Sequence, residues 1–107
     1  MQLRLADSGE AGVASALAQR PDLMLVDMSL PDTHGLQLAA RLHAELGPAC
    51  PPLVAYSANA MAEDIAIAMA SGFSAYLVKP ASTQAILDTV DRFLQLGERQ
   101  VVALEPG

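Results

Sequence analysis

A chain of 107 residues with a net charge of −6 has room for one core and no second one. A hydrophobic share of 52% excludes a disordered chain, while the acidity, 4% aromatics and lack of tryptophan speak against direct nucleic-acid binding, which needs a basic footprint. The lone Cys50 cannot close an internal disulfide, no apolar stretch approaches membrane-spanning length, and the N-terminus has no signal-peptide pattern, so the expected compartment is the cytoplasm.

In chain order, Gln2–Ala6 alternates polar and apolar and predicts a short strand with one covered face. Asp7-Ser8-Gly9-Glu10 offers a helix start with Asp7 and Glu10 at capping-box spacing, and Arg20-Pro21 ends that helix. Leu23–Val26 is a continuous apolar run of the kind that suits a strand buried on both faces of a parallel sheet. A loop from Met28 to Gly35 leads to a helix through about Leu46, stopped by Gly47-Pro48. Leu53–Tyr56 is the next strand, Met61–Ala70 a weakly amphipathic helix closed by Gly72, and Ala75–Val78 a further strand. The last clear helix starts near Ser82 or Thr83 and carries Ile86, Leu87, Val90, Phe93 and Leu94 at helical spacing. Strand and helix alternate four times, which predicts an α/β fold with a βα-wound parallel sheet.

Three of these strands end in chemistry. Asp27, Ser57 and Lys79 each follow an apolar run, so a carboxylate, a hydroxyl and an ammonium meet at the carboxyl rim where open α/β sheets keep their sites. An aspartate that accepts a phosphoryl group needs a cation, a hydroxyl and usually a divalent metal around the attacked oxygens. Lys79 and Ser57 supply the first two, and Asp27 with the backbone carbonyl of Ser29 furnishes part of a Mg2+ shell. The bland reading makes all three ordinary polar loop residues. His34 and His43, nine apart, read as solvent-facing residues rather than ligands, and Met24, Met28, Met61 and Met69 as core or loop filler.

The chain resembles the receiver domain of two-component response regulators (CheY-like), in the style of the receiver modules of hybrid histidine kinases. The resemblance is carried by Pro21-Asp22-Leu23-Met24-Leu25-Val26-Asp27, Leu30-Pro31-Asp32 with Gly35, Ser57-Ala58-Asn59-Ala60-Met61, Gly72, and Tyr76-Leu77-Val78-Lys79-Pro80, and runs from about residue 3 to residue 95. It implies a flavodoxin-like doubly wound sheet, phosphoryl acceptance on Asp27 from a phosphohistidine, and contact of Ser57 and Lys79 with the phosphoryl group. It implies also a cis Lys79-Pro80 peptide, a switch made of Ser57 and Tyr76, and as partner a histidine kinase or histidine phosphotransfer domain, with a fused kinase or output domain possible. A half-buried strand tyrosine packed on the last helix is the other reading of Tyr76.

Such a domain begins with a strand ending in an acidic pair, followed by a helix, and this chain begins at the family's second strand. The expectation is therefore an N-terminally truncated receiver over residues 1–96, with the fold's first strand and helix and the acidic pair of its Mg2+ site missing. That leaves a slot inside the sheet, between Gln2–Ala6 and Leu23–Val26. Residues 97–107 read as a tail, or as an extra strand, Gln100–Glu105, that enters the slot of its own chain or of a partner in a strand-exchanged homodimer. In the strand reading Glu105 stands close to Asp27 and could join its metal shell. Two functions follow: a phosphoacceptor signalling module, not an enzyme in the metabolic sense, or a degenerate receiver-like interaction module that is not phosphorylated. A small hydrolase using Asp27 lacks a second acid or base.

Overall fold

A computed structural model describes residues 2–94 and 100–105. Its elements run β1 (Gln2–Ala6), α1 (Gly9–Ala18), β2 (Leu23–Asp27), α2 (Gly35–Leu46), β3 (Leu53–Ser57), α3 (Ala62–Ala70), β4 (Ala75–Val78), α4 (Thr83–Phe93) and β5 (Gln100–Leu104), with one 3-10 turn at Gly47–Ala49. All strands are parallel, in the order β1-β5-β2-β3-β4. The alternation of elements gives the expected parallel α/β sheet, and the architecture is the flavodoxin-like one that the resemblance implies.

Of the two readings of residues 97–107, the structure holds the strand. β5 lies between β1 and β2, with Leu104 paired to Ala6 on one side and to Val26 on the other. Asp22 fixes its start: the Gln100 amide donates to the Asp22 carboxylate at 2.9 Å, and the Asp22 amide donates to the Gln100 carbonyl at 2.7 Å. The slot is filled from within the chain. Residues 97–99 and 106–107 lie outside the described residues.

The period-two alternation of the strands divides the core in two. Met24, Val26, Leu53, Ala55, Val102 and Leu104 face α1, α2 and α3. Leu23, Leu25, Val54, Ala75, Val101 and Ala103 face the other way, toward Val90 of α4. Three helices thus cover one face and one covers the other. At the thinly covered end, Leu3 and Leu5 are 54% and 73% exposed and line an apolar groove of about 170 Å3 with Val101, Ala103 and Ile86.

This corrects the expectation for β1, because its leucines are not on the covered face. Ala6 is buried toward the three-helix side, and Arg4 reaches the last turn of α1, donating to the carbonyls of Ser15 at 3.3 Å and Gln19 at 2.7 Å. A long basic side chain at the negative end of the helix suits the free carbonyls there. The capping box is corrected as well. Ser8, not Asp7, caps α1, its hydroxyl accepting the Ala11 amide at 3.1 Å, while Glu10 turns outward to pair with Arg41 at 2.6 Å. In α4, Thr89 rather than Leu87 takes an inward position, its hydroxyl satisfied by the Ala85 carbonyl at 2.9 Å. Of the methionines assigned to core or loop, Met24 is fully buried, whereas Met61 and Met69 are exposed.

Two glycines mark close approaches. A Cβ on Gly12 would stand 2.1 Å from a Leu104 methyl, so α1 lies directly on β5. Gly72, at φ +106°, turns the chain out of α3, and a side chain there would also strike the His43 ring. If β5 belongs to the core, Leu104→Ala lowers the stability measured by urea unfolding by about 2–5 kcal/mol. A change below about 0.5 kcal/mol, the size of an ordinary surface effect, would make the segment a tail.

Candidate functional site

β2 carries Asp27 to the carboxyl rim, where it is 3% exposed. A buried carboxylate stays charged only if its oxygens have donors. One oxygen of Asp27 accepts the Ser29 amide at 2.9 Å and the Ser29 hydroxyl at 2.8 Å, the local turn that an Asp-x-Ser spacing favours. The other accepts the Lys79 ammonium, which arrives from just beyond β4. The Lys79-Pro80 peptide is cis. The ammonium also stands 5.1 Å from the centroid of the Tyr56 ring. Burial pushes the Asp27 carboxyl up, but Lys79 and the two donors of Ser29 outweigh it, and its pKa lies below the ordinary 3.8.

Ser57 ends β3 and lines one side of an open cleft of about 660 Å3 whose other side is Ser29–His34. Its hydroxyl accepts the Asn59 amide at 3.1 Å, turned to its own loop rather than to the carboxylate. Asn59 is the node of that loop. Its side-chain oxygen accepts the Met61 amide at 2.9 Å, its side-chain nitrogen donates to Asp64 at 2.7 Å, and its carbonyl accepts the Tyr76 hydroxyl at 2.7 Å. Tyr76 is half-buried and packs on the three-helix side, so it does not lie on α4. One chain of contacts therefore leads from Ser57 through Asn59 to Tyr76. His34 and His43 are exposed, and each has a structural partner: His34 caps α2 by accepting the Leu36 amide at 3.2 Å, and His43 lies 3.1 Å from the Gly72 carbonyl.

The structure brings together Asp27 and Lys79, as the sequence suggests, and sets Ser57 on a cleft whose other wall starts at Ser29, the residue that bonds Asp27. Sequence reasoning missed the two donors of Ser29, its backbone amide and its hydroxyl, and the node at Asn59. The Asp-x-Ser and Ser-x-Asn spacings are the signals that could have found them, since both residues bond two positions away.

The register that pairs Val26 with Leu104 sets the backbone of Glu105 beside Asp27 on the adjacent strand, with its amide donating to the Ala6 carbonyl at 2.9 Å. Among the described residues no three His, Cys, Asp or Glu side chains form a metal cluster. Magnesium does not require one, since it takes one or two carboxylates and keeps waters. Asp27, the Ser29 carbonyl and Glu105 are all hard oxygen donors at one rim, and fit that preference in kind.

The parallel five-stranded sheet carries a carboxylate, a hydroxyl and an ammonium at the carboxyl rim where open α/β sheets keep their sites. A family model, the response regulator receiver domain, matches residues 1–91, and the chain belongs to that family. Over 82 residues it is 33% identical to the probable transcriptional regulatory protein TcrX of Mycobacterium tuberculosis, covering 77% of this chain and 34% of that one. Over 91 residues it is 30% identical to the signal transduction histidine-protein kinase BarA of Escherichia coli K12, covering 85% of this chain and 10% of that one. The chain thus spans about a third of the first relative and a tenth of the second. The chemotaxis protein CheY4 of Vibrio cholerae shares the fold, with a TM-score of 0.75 at 20% identity over 86% of this chain and 96% of that one. Among the described residues no helix is long and apolar enough to cross a membrane.

Because the folded pKa of Asp27 is depressed, its stabilising contribution is complete above 3.8 and is lost as pH falls through the folded value. Lys79→Ala removes the main opposing charge. The Asp27 pKa, followed by carboxyl NMR, then rises above the wild-type value, and stability at pH 7 falls by about 1–3 kcal/mol. An unmoved pKa would mean that the ion pair does not form in solution.

Proposed function

We propose that this receiver accepts a phosphoryl group on Asp27 from the phosphohistidine of a histidine kinase or histidine phosphotransfer domain, and that the added charge switches partner binding. The observation that carries the reading is the buried Asp27 carboxylate, held by Lys79 and by Ser29, a residue that also lines the open cleft shared with Ser57. A carboxylate oxygen attacks phosphorus, an O–P bond forms and the P–N bond breaks, and the imidazole leaves with the electron pair and is protonated from water. Lys79 remains beside the phosphoryl oxygens and neutralises them, and the Ser29 amide keeps the acceptor oriented. Mg2+ would be held by Asp27 and the Ser29 carbonyl, with Glu105 as a further carboxylate donor, and would supply further charge neutralisation. The module catalyses only its own modification, so it is not a metabolic enzyme.

The new oxygens compete with the Asn59 amide for Ser57. When the Ser57 hydroxyl turns to the phosphoryl group, the Asn59 carbonyl is released from its place, the Tyr76 hydroxyl loses its acceptor, and the surface around α3 and α4 changes. A fused kinase or output domain is consistent with the much greater length of the relatives.

The second reading, an interaction module that is not phosphorylated, draws support from the absence of a three-acid cluster among the described residues. One experiment separates the two. On incubation with acetyl phosphate or phosphoramidate and Mg2+, intact mass shows one added phosphoryl group on the wild type and none on Asp27→Asn, while Lys79→Ala is about 10²-fold slower. A wild-type chain that gains no mass, and whose stability does not respond to millimolar Mg2+, belongs to the second reading.

A further inference from the structure

We propose that Asp32 is a positioning residue for the acceptor: its carboxylate ties the loop after β2 to the N-terminus of α1 and so holds Ser29 against Asp27. The consequence for reactivity rests on the phosphoacceptor reading of Asp27, but the tie itself does not.

The loop from Met28 to His34 is fastened at several points. At its near end Ser29 donates twice to Asp27, and Ser29 also pairs with His34 in an isolated antiparallel bridge that closes the loop. In its middle Leu30 is buried in the core on the three-helix side. At its far end Asp32 accepts the Gly9 amide at 2.8 Å on one oxygen and the Glu10 amide at 3.0 Å on the other. Gly9 and Glu10 open α1, and their N–H groups have no partner within the helix. Ser8 serves only the Ala11 amide. A local cap therefore satisfies one donor, and the two before it are satisfied from 22 and 23 residues away.

The sequence makes room for this reach at position 9. A Cβ on Gly9 would stand 2.4 Å from the Thr33 methyl and 3.3 Å from the Asp32 carboxylate, so any side chain there must displace Thr33 and crowd the carboxylate. The two backbone donors also hold the Asp32 carboxyl below its ordinary value, so it is ionised at neutral pH and suited to the positive end of a helix. Because Ser29 to His34 forms one wall of the cleft and Ser29 itself donates to Asp27, the anchoring of Asp32 on α1 governs both where that wall stands and where the Ser29 donors point. A small displacement at such a wall is costly, since misplacing reacting groups by about 1 Å can cost about 10²-fold in rate.

Asp32→Ala tests the tie against Ser8→Ala, which removes a cap from the same helix without touching the loop. In Asp32→Ala the Ser29 amide exchanges hydrogen about tenfold faster or more. The rate of phosphorylation at saturating acetyl phosphate falls about tenfold, with a smaller effect on half-saturation. Asp32→Asn keeps one acceptor oxygen and recovers part of both losses, and Gly9→Ala, acting from the other side, reproduces the Asp32→Ala pattern. Ser8→Ala lowers the melting temperature and leaves Ser29 exchange and the saturating rate unchanged. Equal Ser29 exchange in wild type and Asp32→Ala, or equal acceleration in Ser8→Ala, overturns the tie. Faster Ser29 exchange in Asp32→Ala with no phosphorylation of the wild type supports the tie and overturns the acceptor reading instead.

Discussion

The structure depends on the filling of one place in the sheet. A strand between β1 and β2 must satisfy backbone groups on both of its own edges and on the facing edges of its neighbours, because a buried, unpaired N–H or C=O is costly. β5 does this, pairing in parallel register with β1 on one side and β2 on the other. Its side chains also join the two halves of the core: Val102 and Leu104 reach the face under α1 and α2, and Val101 and Ala103 the face under α4. Without it β1 and α1 would be cut off from the rest of the sheet, since among the described residues β1 pairs only with β5.

That central strand also sets the rim. Parallel strands bring their carboxyl ends to one edge, and there the charge of Asp27 is stabilised by two kinds of partner. Lys79 gives a full opposing charge from the far side of β3, and Ser29 gives two donors from the next turn of its own chain. The near-complete burial of Asp27 strengthens both interactions, because the interior screens charge less than water does. Ser57 stays outside this group with its hydroxyl committed to Asn59, and Asn59 in turn holds Tyr76. The carboxylate is thus built as a fixed point, and the hydroxyl as a part that can change partners.

The two faces of the sheet are unequal. Three helices press on one side closely enough that Gly12, Gly35 and Gly72 each lie where a Cβ would meet a neighbour. The other side has α4 and an apolar groove that ends at Leu3 and Leu5. Loops on the crowded face are accordingly cross-tied. Asp32 reaches α1, Arg41 of α2 reaches Glu10, and the Arg4 guanidinium closes the far end of α1.

By itself the sequence determined the alternation of elements, the α/β class and the three residues that end β2, β3 and β4. Those features are local: an apolar run of four, a proline or glycine stop and a polar residue at a strand end are each legible within a few positions. The spacing Lys79-Pro80 and the loop pieces around Gly35 and Ser57 carried the family resemblance for the same reason. Tertiary structure alone decided where Gln100–Leu104 goes, because a short apolar segment is equally compatible with a tail or a strand until a vacant pair of edges selects it. It also decided that Leu3 and Leu5 face the open side and that Asp32 bonds Gly9 and Glu10. Each of these outcomes joins residues far apart in the chain or depends on which face is already covered, and no local pattern encodes either.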